Sequence, residues 1–187
     1  MIKVLFMGRK TISAKLLRKI HEDKTVEIVG VLTDSHLKGS PTRAVAHELG
    51  LKIYTFESAL IELKSGELAF DLGLSVLYWR KLKEEFLTVP SKGVINFHPA
   101  LLPEYKGTGG YNLAILEGLS EWGVSAHYAD EKIDTGGLIK VNKFSIDRDK
   151  ETVVSLEKTS MIALEDMVIK VFEDAVNSVR LLETAPN

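Results

Sequence analysis

Residues 1–33 decide the fold class, and their sequence is MIKVLFMGRKTISAKLLRKIHEDKTVEIVGVLT. The apolar run from Val4 to Met7 predicts a buried strand, and Glu27 to Thr33 predicts a second one. Between them, Thr11 and Ser13 are suitable helix caps, and apolar residues recur at helical spacing, at Ile12, Leu16, Leu17 and Ile20. A strand, a helix and a second strand in this order are typical of parallel strands joined by crossover helices.

The same alternation continues along the chain. Two further helices are predicted, at Thr42 to Leu49, after a turn at Gly39, Ser40 and Pro41, and at Leu60 to Leu63. Five further strands are predicted at Lys52 to Tyr54, Leu72 to Tyr78, Val94 to Phe97, Val124 to Tyr128 and Leu138 to Phe144. An apolar stripe that includes Val179 and Leu182 predicts a long helix at about 151–182. We expect one α/β domain over residues 1–187, with a mostly parallel central sheet of about seven strands flanked by helices.

Composition excludes several classes of protein. The 24 Lys and Arg against 26 Asp and Glu leave a net charge of -2, so no overall field attracts nucleic acid or an anionic membrane. The absence of cysteine excludes disulfides and cysteine nucleophiles. The N-terminal apolar run is shorter than a signal-peptide core, and no stretch approaches the ~20 apolar residues of a membrane span. We expect a soluble, cytoplasmic protein.

Three stretches carry more polar and glycine residues than packing requires: Gly8 to Thr11, Asn96 to Asn112 and His127 to Gly137. Each follows a predicted strand. Ligands of open α/β sheets bind at the carboxyl ends of strands, so we expect the three stretches to share one cleft.

Asn96 and His98 are the first candidates for chemistry. They are two residues apart at a strand end, so both side chains point to the same face. An amide and an imidazole together can stabilise an oxygen that becomes negative during acyl transfer. The alternative is that they cap the strand before Pro99. Asp134 lies in a predicted tight turn, where it either bonds locally or, if it reaches His98, favours the imidazolium.

His127 is the second histidine of these stretches, and its mid-strand position predicts a buried, hydrogen-bonded structural role. A metal site built from His98, His127, Glu131 and Asp134 has suitable ligand types. Its spacing matches no metal motif, so we expect no metal. Gly107 to Gly110 precede a helix predicted from Tyr111 to Glu117, and their backbone N–H groups either bind an anion or form a plain helix entry.

Two runs together resemble the folate-dependent formyltransferases: NFHPALLPEYKG, from Asn96 to Gly107, and GVSAHYADEKIDTG, from Gly123 to Gly136. The resemblance implies a Rossmann-like domain, 10-formyltetrahydrofolate as the formyl donor and an amine as the acceptor. It also implies that Asn96, His98 and Asp134 are catalytic. Asn96 and protonated His98 would hold the oxyanion, while Asp134 would keep His98 charged and help to remove the amine proton.

The resemblance also implies a set of folate-binding residues. The folate-lining residues are Tyr78, Trp79, Arg80, Leu82, Leu87, Val94, Ala129, Asp130, Glu131, Lys132 and Ile133, although core packing is an equal alternative for Trp79. We expect the acceptor to contact Gly8, Arg9, Lys10, Thr11, Lys106, Gly109 and Gly110. Arg9 and Lys10 would suit an anionic substrate.

The resemblance leaves several acceptors open. Residues 147–187 carry 5 Lys and Arg against 9 Asp and Glu, a balance that repels tRNA. We expect no basic C-terminal domain of the kind that methionyl-tRNA enzymes carry, and Met7 to Ile12 lacks the glycine- and asparagine-rich phosphate loop of glycinamide ribonucleotide enzymes. We therefore expect an amino sugar carried on a nucleotide. The alternatives are methionyl-tRNA or glycinamide ribonucleotide as acceptor, a formyltetrahydrofolate hydrolase, and a folate- or nucleotide-binding module. A homodimer is left open.

Overall fold

The computed structural model describes residues 1–33, 39–178 and 181. Its strands are β1 (Ile2–Gly8), β2 (Val26–Leu32), β3 (Ile53–Tyr54), β4 (Leu72–Val76), β5 (Val94–His98), β6 (Glu121–Tyr128) and β7 (Leu138–Ser145). Its helices are α1 (Thr11–His21), α2 (Pro41–Glu48), α3 (Phe56–Ser65), α4 (Glu84–Thr88), α5 (Gly110–Leu116) and α6 (Val153–Asn177).

All seven strands form one sheet in the order β3-β2-β1-β4-β5-β6-β7. The strands β1 to β5 run parallel, whereas β6 is antiparallel to β5 and β7 is antiparallel to β6. The predicted mostly parallel sheet of about seven strands is therefore confirmed. The antiparallel pairing brings the carboxyl end of β5 beside β6, which positions the candidate site.

Both faces of the sheet are covered by helices. Because successive strand residues point to opposite faces, Val4 and Phe6 of β1 pack in one apolar cluster and Leu5 and Met7 in another. The first cluster contains α1 and α6 residues, and the second contains α3 residues. Burying each such side chain contributes about 1.5–3 kcal/mol. This two-sided burial explains why the strand is a continuous apolar run rather than an alternating one.

The fourth strand is shorter than predicted. It ends at Val76 rather than Tyr78, because Leu77 has a φ of 55° and leaves the extended conformation. The carbonyl of Val76 instead accepts a 2.7 Å hydrogen bond from the Ser13 hydroxyl. Ser13 therefore connects α1 to the end of β4. The N-cap of α1 is Lys10 rather than the predicted Thr11 or Ser13.

The helices between the strands also differ from the prediction. The marginal helix at Leu60 to Leu63 is a full helix, α3, because Thr55 and Ser58 form a capping box at its start and left-handed Gly66 caps its end. The short helix α4 was not predicted. Helix α6 begins at Val153 and ends at Asn177, whereas the predicted positions Val179 and Leu182 lie outside the described residues.

Among the helices of the described ranges, none combines the length and the hydropathy needed to cross a membrane.

Candidate active site

The carboxyl end of β5 places two side chains in one cleft. Asn96 and His98 lie on the same face of the strand, as their spacing predicted, and both line the cleft. Asn96 is paired in register with Ser75 of β4 and with His127 of β6. The two neighbouring strands therefore each place a polar side chain beside the Asn96 amide.

Asp134 reaches this strand end from the turn between β6 and β7. Its φ of 52° is left-handed, a conformation that aspartate tolerates better than most residues. Its Oδ2 accepts a 2.8 Å hydrogen bond from the Gly107 N–H and lies 3.4 Å from His98 Nδ1. Its Oδ1 accepts from Asn96 Nδ2 at 3.3 Å. The turn thus joins three predicted residues into one cluster.

Glycine at position 136 is required by this turn. A Cβ atom on Gly136 would lie 1.8 Å from the Tyr128 carbonyl oxygen, which is far inside van der Waals contact. The backbone on both sides of the turn can approach this closely only without a side chain. A second constraint is Asp130, which accepts 2.7 Å hydrogen bonds from the Thr135 hydroxyl and a 2.9 Å bond from the Lys132 N–H. These contacts define the conformation of the loop that carries Asp134.

His98 is buried, with 7% of its surface exposed, and both ring nitrogens face oxygen atoms. Its Nε2 donates a 2.8 Å hydrogen bond to the Tyr105 carbonyl, and Nδ1 faces Asp134. Burial lowers the pKa of His98, and this effect outweighs the raising influence of the Asp134 charge. Asp134 therefore favours the imidazolium, as expected, but burial keeps the pKa below its ordinary value in the absence of substrate.

Asp134 itself is held ionised. Its burial raises the pKa, but contact with the His127 ring, the charge of His98 and the Gly107 N–H together outweigh burial, so the pKa of Asp134 lies below its usual range. The ionised Asp134 therefore faces an imidazole whose charged form it favours and whose burial opposes that form. Two titratable groups with perturbed pKa values side by side in a cleft are candidates for acid–base chemistry.

The cleft around this cluster has a volume of about 630 Å³. It also holds Arg9 and Lys10 from the turn after β1, so the three stretches that were expected to share one cleft all contribute to it. Within the described part of the chain, no group of three or more His, Asp or Glu side chains is arranged to hold a metal ion.

The sequence matches the formyl transferase family over residues 2–171. The chain belongs to the formyltransferase family. A methionyl-tRNA formyltransferase from Lysinibacillus sphaericus is 33% identical over 177 residues, which cover 87% of this chain and 55% of that protein. This chain spans about half the length of the curated relatives it matches. The resemblance inferred from the two motif runs is confirmed.

Solved structures share the fold. An N-formyltransferase from Helicobacter canadensis, in complex with folinic acid and dTDP-3-aminofucose, has a TM-score of 0.80 and 26% identity, covering 100% of this chain and 68% of that one. A phosphoribosylglycinamide formyltransferase from Anaplasma phagocytophilum also has a TM-score of 0.80, at 20% identity, covering 100% of this chain and 95% of that one. The second similarity shows the fold alone.

The cleft of this formyltransferase-family chain contains most residues that were predicted to bind folate. The lining residues of this set are Tyr78, Trp79, Arg80, Leu82, Ala129, Asp130, Lys132 and Ile133. Trp79 is 53% exposed, so the core alternative for it is wrong. The Arg80 guanidinium is ion-paired with Glu57 at 2.7 Å and stacks on Phe56 at 4.2 Å, which fixes it at the rim.

Other predicted binding residues of the formyltransferase-family chain lie away from the cleft. Val94 is 1% exposed within the second apolar cluster, the one that contains α3 residues, and Leu87 packs against the same cluster. Both residues pack in the core and do not line the cleft. Glu131 of the folate set does not line the cleft. The residues of the acceptor set that line it are Arg9, Lys10, Gly109 and Gly110. The residues of that set that do not line it are Gly8, Thr11 and Lys106.

Two polar neighbours of the cluster, Ser75 and His127, make contacts that the sequence does not predict. His127 is buried and hydrogen-bonded, since Nδ1 donates 2.7 Å to the Tyr128 carbonyl, and that much was predicted. Its other nitrogen, Nε2, lies 3.0 Å from Asn96 Nδ2 and 3.4 Å from Asp134 Oδ1, and these two contacts were not predicted. The Ser75 hydroxyl donates 2.8 Å to Asn96 Oδ1. A polar residue inside an otherwise apolar strand was the only signal for Ser75.

Proposed function

We propose that this protein transfers a formyl group from 10-formyltetrahydrofolate to a primary amine. The observation that carries this proposal is the convergence of Asn96, His98 and Asp134, with Asp134 Oδ1 3.3 Å from the Asn96 amide and Oδ2 3.4 Å from the His98 ring. A neutral donor, a titratable ring and a carboxylate within one small volume supply the groups needed for acyl transfer.

The reaction follows from these groups. The amine nitrogen attacks the formyl carbon, and the carbonyl electron pair moves to its oxygen. Asn96 donates an N–H to this oxyanion, and the His98 imidazolium stabilises its charge at short range. Asp134 accepts the proton that the amine loses. When the tetrahedral species collapses, the bond from carbon to the folate nitrogen breaks, and that nitrogen leaves with a proton returned from the His98 and Asp134 pair.

The low pKa of His98 in the free protein fits this sequence of steps. Burial opposes the imidazolium until negative charge develops beside it; the developing oxyanion then favours transfer to His98 Nδ1 of the amine proton that Asp134, 3.4 Å away, has accepted. The stabilisation is therefore larger in the transition state than in the ground state, which is the condition for acceleration. A permanently charged His98 would stabilise substrate and transition state more equally.

The donor is a substrate, and one side of the cleft fits its flat heterocycle. Tyr78, Trp79 and Leu82 provide aromatic and apolar surface after β4, and Ala129 to Ile133 follow β6 as a short loop. The loop is already closed by the hydrogen bonds to Asp130. The folinic acid in the Helicobacter canadensis relative supports this assignment.

For the acceptor we propose an amino sugar carried on a nucleotide. The cations Arg9 and Lys10 line the cleft and suit its phosphate groups, and the structure from Helicobacter canadensis contains dTDP-3-aminofucose. A second candidate is methionyl-tRNA, which is favoured by the relatives of that name at 31–33% identity. The two acceptors differ in size by more than an order of magnitude, so one experiment separates them.

The test is an incubation of the protein with 10-formyltetrahydrofolate and each candidate acceptor. The acceptors are nucleotide-linked amino sugars, glycinamide ribonucleotide and methionyl-tRNA, and a water-only sample measures formate release. We expect tetrahydrofolate to accumulate and an amino sugar to gain the mass of one CO group. Formylation of methionyl-tRNA alone would overturn the acceptor, and formate without any acceptor would indicate a hydrolase. Folinic acid binding without turnover would indicate a binding module.

A further inference from the structure

Ser75 is a polar residue in the apolar centre of the sheet. It lies in β4, is 5% exposed, and is the register partner of Asn96 on β5. Its neighbours in the strand, Leu74 and Val76, are both fully buried and apolar. A buried hydroxyl carries a desolvation cost unless it is hydrogen-bonded, and this one donates 2.8 Å to Asn96 Oδ1. This hydrogen bond is thus directed at a residue of the proposed reaction.

The opposite end of the Asn96 amide is also held. Because the Tyr128 carbonyl can only accept, His127 Nδ1–H donates to it, and Nε2 is the ring nitrogen that is left to accept from Asn96 Nδ2 at 3.0 Å. Asp134 Oδ1 lies 3.3 Å from the same nitrogen. A reversed amide would direct Oδ1 toward two acceptors. The amide is therefore fixed with its nitrogen toward Asp134.

We propose that Ser75 is a positioning residue, which together with His127 holds the Asn96 amide so that one N–H points to the oxyanion. One N–H of the Asn96 amide donates to His127 at 3.0 Å, and the other lies 3.3 Å from Asp134. Because the contact with Asp134 is the longer one, the N–H that makes it is the one that donates to the oxyanion. The inference rests on the proposed formyl transfer. Ser75 would act on the reaction through its hydrogen bond to Asn96.

Geometry decides the size of the effect. An oxyanion donor is effective at 2.7–3.1 Å, and complete loss of one lowers kcat about 10²–10³-fold. Ser75→Ala removes the hydroxyl, so the Asn96 amide stays in the cleft but loses one of the hydrogen bonds that orient it. We expect kcat to fall about 10–100-fold, while the KM for the donor and the Kd for folinic acid stay within about twofold. Ser75→Thr keeps the hydroxyl on a residue that favours strands, and should restore kcat to within about threefold.

A double-mutant comparison separates positioning from a general structural role. Asn96→Ala alone should lower kcat about 10²–10³-fold. Adding Ser75→Ala to it should cause less than a further twofold loss, because the group that Ser75 positions is gone. The proposal is overturned if Ser75→Ala keeps kcat within twofold, or if its effect multiplies with that of Asn96→Ala.

A measurement without turnover keeps this test separate from the proposed function. The side-chain amide of Asn96 is observed by ¹⁵N NMR in the protein without substrate and is assigned by its loss in Asn96→Ala. We expect Ser75→Ala to shift both amide protons and to speed their exchange with water, and Ser75→Thr to restore them. Unchanged signals would refute the positioning role even if no acceptor were formylated. If the wild type transfers no formyl group and the signals do change, only the proposed function fails.

Discussion

Replacing Asp134 with asparagine removes one negative charge from the centre of the cluster and preserves its shape. Asparagine tolerates the left-handed φ of 52° at this position about as well as aspartate. The carboxylate oxygen is 3.4 Å from His98 Nδ1. At this separation the charge is worth about 1 kcal/mol in the dielectric of water and about 5 kcal/mol at the effective value of about 20 found in proteins.

Two losses follow from this change. The pKa of His98, already lowered by burial, should fall further because the opposing influence of Asp134 is gone. Since about 1.4 kcal/mol corresponds to a factor of ten, the imidazolium population at neutral pH falls several-fold or more. The acceptor for the amine proton is also lost, and such a group contributes about 10²–10⁴-fold. We expect kcat to fall at least about 10²-fold.

The assay is the initial rate of tetrahydrofolate formation between pH 5 and 9, together with an NMR titration of the His98 ring. A matched control is Asp149→Asn, which removes the same charge at an exposed position away from the cleft. The control should keep the rate and the titration of the wild type. The reasoning is refuted if Asp134→Asn keeps kcat within about threefold, or if His98 titrates at the same pH in both proteins.

Two further predictions concern stability. Because burial lowers the pKa of His98, the unfolded chain takes up a proton more readily near and below neutral pH, so the free energy of unfolding should decrease from pH 7.5 to 5.5. Urea unfolding should show that this free energy depends less on pH in His98→Gln than in the wild type. The same pH dependence in both proteins would contradict this. Gly30→Ala should destabilise by about 1–3 kcal/mol, since its Cβ would lie 2.4 Å from the Tyr54 ring, whereas Gly39→Ala meets no atom within 4 Å. Equal melting temperatures of the two variants would contradict this account.

The positions of the strands are predictable from the sequence, because a strand that is buried on both faces is a continuous apolar run, as in Val4 to Met7. The ends of the elements were less readable. Nothing in the residue type of Leu77 predicts a positive φ, and the capping box at Thr55 uses Ser58 where glutamate or glutamine is the usual sign. Local hydrogen bonds decided these ends.

Residue types and their spacing are enough to indicate which side chains could do chemistry. Asn96 and His98 share a face because a strand has a period of two, and the two motif runs indicated Asp134 as their partner. The distances between these side chains and the direction of the His98 pKa shift depend on the folded sheet, because burial and the Asp134 charge act on that pKa in opposite directions. Ser75 lies 21 residues before Asn96 and His127 lies 31 after it. Only the pairing of β4, β5 and β6 brings these residues to one amide, since register between strands is set by packing of the whole sheet.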